Sequence, residues 1–132
     1  MIRLANLLLA LFALGLAACG GDDGKQAEQT VREFVKATNS RDTQKFCDEL
    51  VSQQFLEQST GAKGDRAREA CRDQLKSLKG LKVHLDRVSN AKVDGDRATV
   101  RTVLSNQGQK QDQVFRLKKE DGDWKLAGGA GG

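Results

Sequence analysis

The chain has 132 residues, with 22 basic and 18 acidic side chains and a formal net charge of +4. That length holds one domain. Five phenylalanines, one tryptophan and no tyrosine, with so mild a charge excess, exclude a nucleic-acid binder built on basic patches and stacked aromatics.

The first 18 residues form a targeting segment. Arg3 gives a short basic start, and only Asn6 interrupts the apolar run that follows. The run is too short to span a bilayer comfortably as a permanent helix and has the layout of a secretory signal. Arg3 is the one charge lost with it, which leaves 21 basic against 18 acidic side chains, a net charge near +3. An excess of that size gives at most a weak attraction to anionic headgroups.

The segment ends in Leu16-Ala17-Ala18-Cys19, which resembles the lipobox of bacterial lipoproteins. The resemblance implies a diacylglyceryl group on the Cys19 thiol, cleavage just before Cys19, and anchoring on the extracytoplasmic face of a cell membrane. Leu16 discriminates, because ordinary signal cleavage favours a small residue three positions before the cut. Two acyl chains anchor stably where one binds only marginally. Gly20-Gly21-Asp22-Asp23-Gly24 has linker composition, so residues 19–26 are expected to be a flexible spacer reaching roughly 24 Å.

A domain is expected over residues 27–127. Ala27, Val31, Phe34, Val35 and Thr38 recur at helical spacing, and Asn39-Ser40-Arg41-Asp42 interrupts them. Asp42 or Ser40 fits the cap of a second helix carrying Phe46, Cys47, Leu50, Val51 and Phe55. After Gly61-Ala62-Lys63-Gly64, Asp65 fits the cap of a third, with Ala67, Ala70, Cys71, Gln74, Leu75 and Leu78 on one face; Lys79-Gly80 ends it. The period then changes to two. Leu81, Val83 and Leu85 alternate with Lys82, His84 and Asp86, and Val88 breaks the phase, which places a bulge near Arg87. Asp-Gly turns at Asp94-Gly95 and Asp121-Gly122, and a turn at residues 106–109, separate strands over residues 98–104, 114–117 and 124–126. Residues 128–132 read as a flexible glycine-rich tail. Three helices followed by an antiparallel meander of about four strands is an α+β plan.

This order resembles the nuclear transport factor two-like fold, in which helices pack across a curved sheet to form a cone. It is most similar to small exported actinobacterial members. The stretches that carry the resemblance are Asn39-Ser40-Arg41-Asp42, Phe46-Cys47, Ala70-Cys71-Arg72, residues 93–100 and the terminal Glu120-Asp121-Gly122-Asp123-Trp124-Lys125. Enzymes of that fold work with Asp, Tyr or His groups inside the cone.

With Cys19 assigned to the anchor, Cys47 and Cys71 are left as a pair on the stripes of adjacent helices, and an oxidising compartment favours a disulfide between them. No Cys-x-x-Cys spacing points to redox activity, and two sulfurs with one histidine do not make a zinc site. His84 has the parity of the polar face. Turn chemistry accounts for Asp94, Asp96, Asp121 and Asp123, and Trp124 reads as core. Without tyrosine or a catalytic motif, the expectation is a non-enzymatic lipoprotein with no cofactor and no metal. Its partners are the membrane, through the anchor, and a small apolar ligand or an envelope protein. The alternatives are a purely structural module and, last, an isomerase- or hydrolase-like enzyme.

Overall fold

The computed structural model describes residues 20–78, 80 and 82–131. Residues 1–18, expected to be a targeting segment, and Cys19, Lys79, Leu81 and Gly132 lie outside the described residues. Helices α1 (Gly20–Ser40), α2 (Gln53–Thr60) and α3 (Asp65–Ser77), with a π-helical segment Lys45–Leu50, pack on one face of an antiparallel sheet. Its strands are β1 (His84–Val88), β2 (Lys92–Asp94), β3 (Arg97–Asn106), β4 (Gln109–Glu120) and β5 (Asp123–Gly131). The sheet order is β1-β3-β4-β5, with β2 pairing β3 beyond β1. The fold is α+β, helices on a curved five-stranded sheet, one strand more than the sequence suggests because Lys92–Asp94 forms its own short ladder.

The apolar stripe of α1 buries Ala27 and Val31 completely against the sheet. The helix also begins earlier than expected. Residues 20–26, read above as a flexible spacer, form its first two turns. Asp22 and Asp23 sit in the first turn, where carboxylates favour the helix dipole. Asp23 Oδ1 also accepts from Lys119 Nζ at 2.8 Å, and buried Gly24 lies against Ala91. These tertiary contacts override the poor helix propensity of glycine.

The expected second helix divides in two. Asp42 Oδ1 accepts from the Lys45 N–H at 3.1 Å, as its capping position suggests, but helical bonding stops at Val51. Val51 forms a parallel bridge with Leu126, and the Ser52 N–H donates to the Leu126 carbonyl at 2.8 Å. Ser52 then caps α2, its Oγ accepting from the Phe55 N–H at 3.2 Å. A bond to the sheet has replaced the continuation of the helix. Before α3, Gly64 holds the cap position with φ 58°, and Asp65 is the first helical residue rather than the cap.

In the sheet, the inward positions Ala98, Val100 and Thr102 of β3 lie opposite Leu117, Phe115 and Gln113 of β4. The register shifts between Leu85 and Arg87, where the broken alternation places a bulge. A second shift lies at Arg116–Leu117, where Ala127 is the extra residue on β5. The glycine-rich end is strand through Gly131 rather than a free tail. Gly128 and Gly129 pair with Arg116 and Phe115, and those ladder bonds outweigh glycine's entropic cost.

Cys47 and Cys71 are joined by a disulfide, Cα–Cα 5.9 Å, across 24 residues of sequence. Beside it Arg72 Nη1 donates to both oxygens of Asp48 at 2.9 and 3.0 Å. Among the described residues the disulfide and every core side chain fall between Ala27 and Leu126, so residues 20–132 contain that packed unit. A bridge closing such a loop is worth about 3.5 kcal/mol in the chain-entropy model. Reduction, or the pair Cys47→Ala and Cys71→Ala, should therefore lower the unfolding free energy by about 3 kcal/mol in urea titrations. An unchanged midpoint would show that the bridge adds nothing.

The α2–α3 connection depends on Glu57. Its Oε2 accepts from the Gly64 N–H at 2.9 Å and from Gln53 Nε2 at 3.2 Å. The Gly64 bond first, then Gln53 and the charge of Lys63, hold the carboxyl below the ordinary carboxylate range against a small opposing effect of burial. A depressed folded-state value means that the stabilisation is complete above the ordinary range and disappears as pH falls through the lowered value. The Gly64 amide resonance should titrate with a midpoint below that of an unperturbed glutamate. A midpoint above it contradicts the assignment.

Candidate functional site

α1 spans the concave face of the sheet and makes its two ends different. At the N-terminal end the space is closed. Val31, Leu117 and Trp124 are almost fully buried there, and Thr30 Oγ1 donates to the Trp124 carbonyl at 3.4 Å. Lys119 Nζ sits 5.5 Å from the Trp124 ring centroid, within cation–π range. The indole Nε1 has no hydrogen-bond partner among the described residues.

Toward the C-terminal end of α1 the layers separate around a cavity of about 420 Å³. Phe34, Phe46 and Phe55 from the helical side and Phe115 and Leu104 from the sheet form its walls. The rings are packed rather than loose. Phe34 stands 4.7 Å from Phe46 and 5.7 Å from Phe115, the latter edge-to-face. Leu78, 50 % exposed, also lines the cavity and marks its mouth. The polar side chains in the lining are Thr38, whose hydroxyl donates to the Phe34 carbonyl at 2.8 Å, and Gln113. Among the described residues no titratable side chain lines it.

The cavity exists because one wall lacks side chains. Gly129 occupies an inward position opposite Phe115. A Cβ built on it would stand 3.0 Å from Gln113 Nε2, tighter than ordinary packing. Glycine avoids that contact, and the room it leaves is part of the pocket.

At the rim, Asn39 fastens the end of α1 to the segment before β1. Its Nδ2 donates to the Val83 carbonyl at 2.6 Å and its Oδ1 accepts from the Val83 N–H at 2.8 Å. Lys82 Nζ donates to the Asn39 carbonyl at 2.9 Å, a cation at a helix C-terminus.

The residues singled out in the sequence mostly lie elsewhere. Cys47 and Cys71 join the helices behind the cavity wall. His84 is solvent-exposed, its Nε2 3.4 Å from Asp86 Oδ1, and does not reach the cavity. Asp94, Asp96 and Asp121 are exposed at the hairpins. Trp124 packs in the core at the closed end. Among the described residues no group of His, Cys, Asp or Glu is placed to hold a metal ion, and no helix is long and apolar enough to cross a membrane. The pocket-lining phenylalanines had passed as ordinary core in the sequence. The signal was present in their being more numerous than one narrow helical seam needs.

No protein-family model matches this sequence, and no curated protein is similar to it. Solved structures do share its fold. A de novo designed protein with a curved β-sheet is 18 % identical, with a TM-score of 0.51 over 78 % of this chain and 95 % of its own. A SEC-C motif containing protein from Rhodopseudomonas palustris is 17 % identical, with a TM-score of 0.50 over 78 % of this chain and 76 % of its own. A de novo designed NTF2-fold protein is 16 % identical, with a TM-score of 0.44 over 80 % of this chain and 84 % of its own. At these identities the likeness to the first two shows the architecture alone, helices laid across a curved antiparallel sheet.

Proposed function

We propose that this chain is a lipid-anchored protein of the extracytoplasmic face of a cell membrane, whose nuclear transport factor two-like domain binds a small apolar ligand without catalysing a reaction. The observation that carries the proposal is the cavity. Its volume of about 420 Å³ falls within the range of small-molecule sites. Its walls are apolar, with Thr38 and Gln113 as polar handles, the usual make-up of such sites. The non-catalytic reading is supported by the lining, in which none of the described residues offers an acid or base to a bound substrate.

The anchor reading rests on Leu16-Ala17-Ala18-Cys19. Helix α1 is described from Gly20, next in sequence to Cys19, so a lipid on Cys19 would hold the domain close to the membrane. The pocket residue Thr38 lies 18 positions further along the same helix, roughly 27 Å at about 1.5 Å per residue. On this reading the pocket is set off from the anchored end along the helix.

The two parts are tested separately. Cys19→Ser should abolish incorporation of labelled fatty acid and either release the protein or leave it unprocessed; normal labelling would refute the anchor. For the pocket, residues 20–132 should bind the neutral dye Nile red saturably and one to one. Thr38→Phe extends a side chain into the cavity and removes no tertiary hydrogen bond, since Thr38 Oγ1 bonds only within its own helix. It should weaken dye binding by about tenfold, some 1.4 kcal/mol, while the melting transition stays in place. Equal affinity in the variant would place the dye elsewhere.

A further inference from the structure

On the other side of the seam between α1 and the segment before β1 lies an open groove of about 450 Å³. Arg32, Lys36, Lys82 and His84 line it, and no carboxylate does. Among the described residues it shares Val35 and Val83 with the apolar cavity, so these side chains stand between an apolar interior and a cationic exterior. The two spaces also meet at the rim. Thr38 lines the cavity, Asn39 next to it lines the groove, and the Lys82 ammonium rests on the Asn39 carbonyl. Among the described residues no ion pair engages Arg32, Lys36 or Lys82, whereas Lys45 has Glu33 and His84 has Asp86.

We propose that the ligand is an anionic single-chain amphiphile, its hydrocarbon chain in the phenylalanine-lined cavity and its charged head on the rim formed by Arg32, Lys36 and Lys82. This inference rests on the ligand-binding reading above and names the chemical class. A charged head does not enter the cavity, because nothing inside compensates its desolvation. The cavity holds about fourteen water volumes of ~30 Å³, room for one chain rather than two. The head therefore emerges past Leu78 and Thr38, and among the described residues Lys82, resting on the Asn39 carbonyl next to Thr38, is a cation at that rim. Carboxylate and phosphate monoester share the necessary charge and acceptor oxygens.

The test compares myristate, methyl myristate and myristyl phosphate in displacing Nile red from residues 20–132. Myristate and myristyl phosphate should bind about tenfold more tightly than the ester, since an exposed ion pair contributes up to about fivefold and more than one cation is in reach. That preference should shrink as salt shortens the screening length. The double variant Lys36→Glu and Lys82→Glu should abolish it while leaving the ester's affinity within about twofold, which also reports that the pocket is intact. The single variant Lys36→Glu, which touches no hydrogen bond of the fold, should reduce it in part. Tighter binding of the phosphate than of the carboxylate, or the reverse, identifies the head. Equal affinity for acid and ester, or a preference that survives charge reversal, overturns this inference and leaves the pocket reading standing. Failure of every probe to displace the dye, or affinities unchanged by Thr38→Phe, brings down the pocket reading and this inference with it.

Discussion

The helical layer is tied to the sheet through the backbone at Val51 and Ser52, which leave helical geometry to meet Leu126 of β5. Other features of the helical layer follow from that contact. It ends the π-helical segment and sets Ser52 to cap α2. It fixes the height of Phe46 and Phe55, one on each side of the bridge, above the edge of the sheet. It also brings Cys47 to α3, where the disulfide makes the arrangement permanent. A continuous helix through this region would have had no backbone donor free for the sheet, and its Cys47 would have been placed by helical phase alone. The bridge and the disulfide thus hold the phenylalanine side of the cavity at both ends.

Helix α1 resolves the rest of the architecture into a closed end and an open one. Its N-terminal half lies tight on the sheet because small residues face inward. Gly24 meets Ala91 and Ala27 is completely buried, so the sheet approaches and Trp124 seals the base. Phe34 and Thr38 follow on the same stripe. A large ring at Phe34 holds the helix away from β4, and Asn39 secures the end of the helix to Val83 so that the gap does not collapse. The order of side-chain volumes along one stripe therefore decides where the cavity lies. The cost of that space is carried elsewhere in the core, by the disulfide and by the closely packed base.

The features legible in the sequence were those set by local rules. The stripe of α1 follows the helical period, the bulge at Leu85–Arg87 follows from the phase break at Val88, and Asp121-Gly122 adopts the positive φ angles its turn requires. What could not be read was decided by partners distant in sequence. The stretch from Gly20 to Gly24 looks like a linker until Lys119 is seen on Asp23 and Ala91 beside Gly24. Gly128 and Gly129 look like a tail until Arg116 and Phe115 provide the ladder. The division of the second helix depends on Leu126, which lies far along the chain from Ser52. The cavity itself is invisible to any periodicity, because it is made by side chains that are absent.

Gly128 and Gly129 leave one wall of the cavity without side chains. A Cβ added at Gly129 would stand 3.0 Å from Gln113 Nε2, so the end of that side chain must shift to admit it. In the binding reading proposed above, single changes can alter either part: Thr38→Phe occupies the interior, and changes at Arg32, Lys36 or Lys82 alter the exposed rim. Among the described residues no titratable side chain lines the cavity, so on that reading selectivity resides in shape within and charge at the mouth.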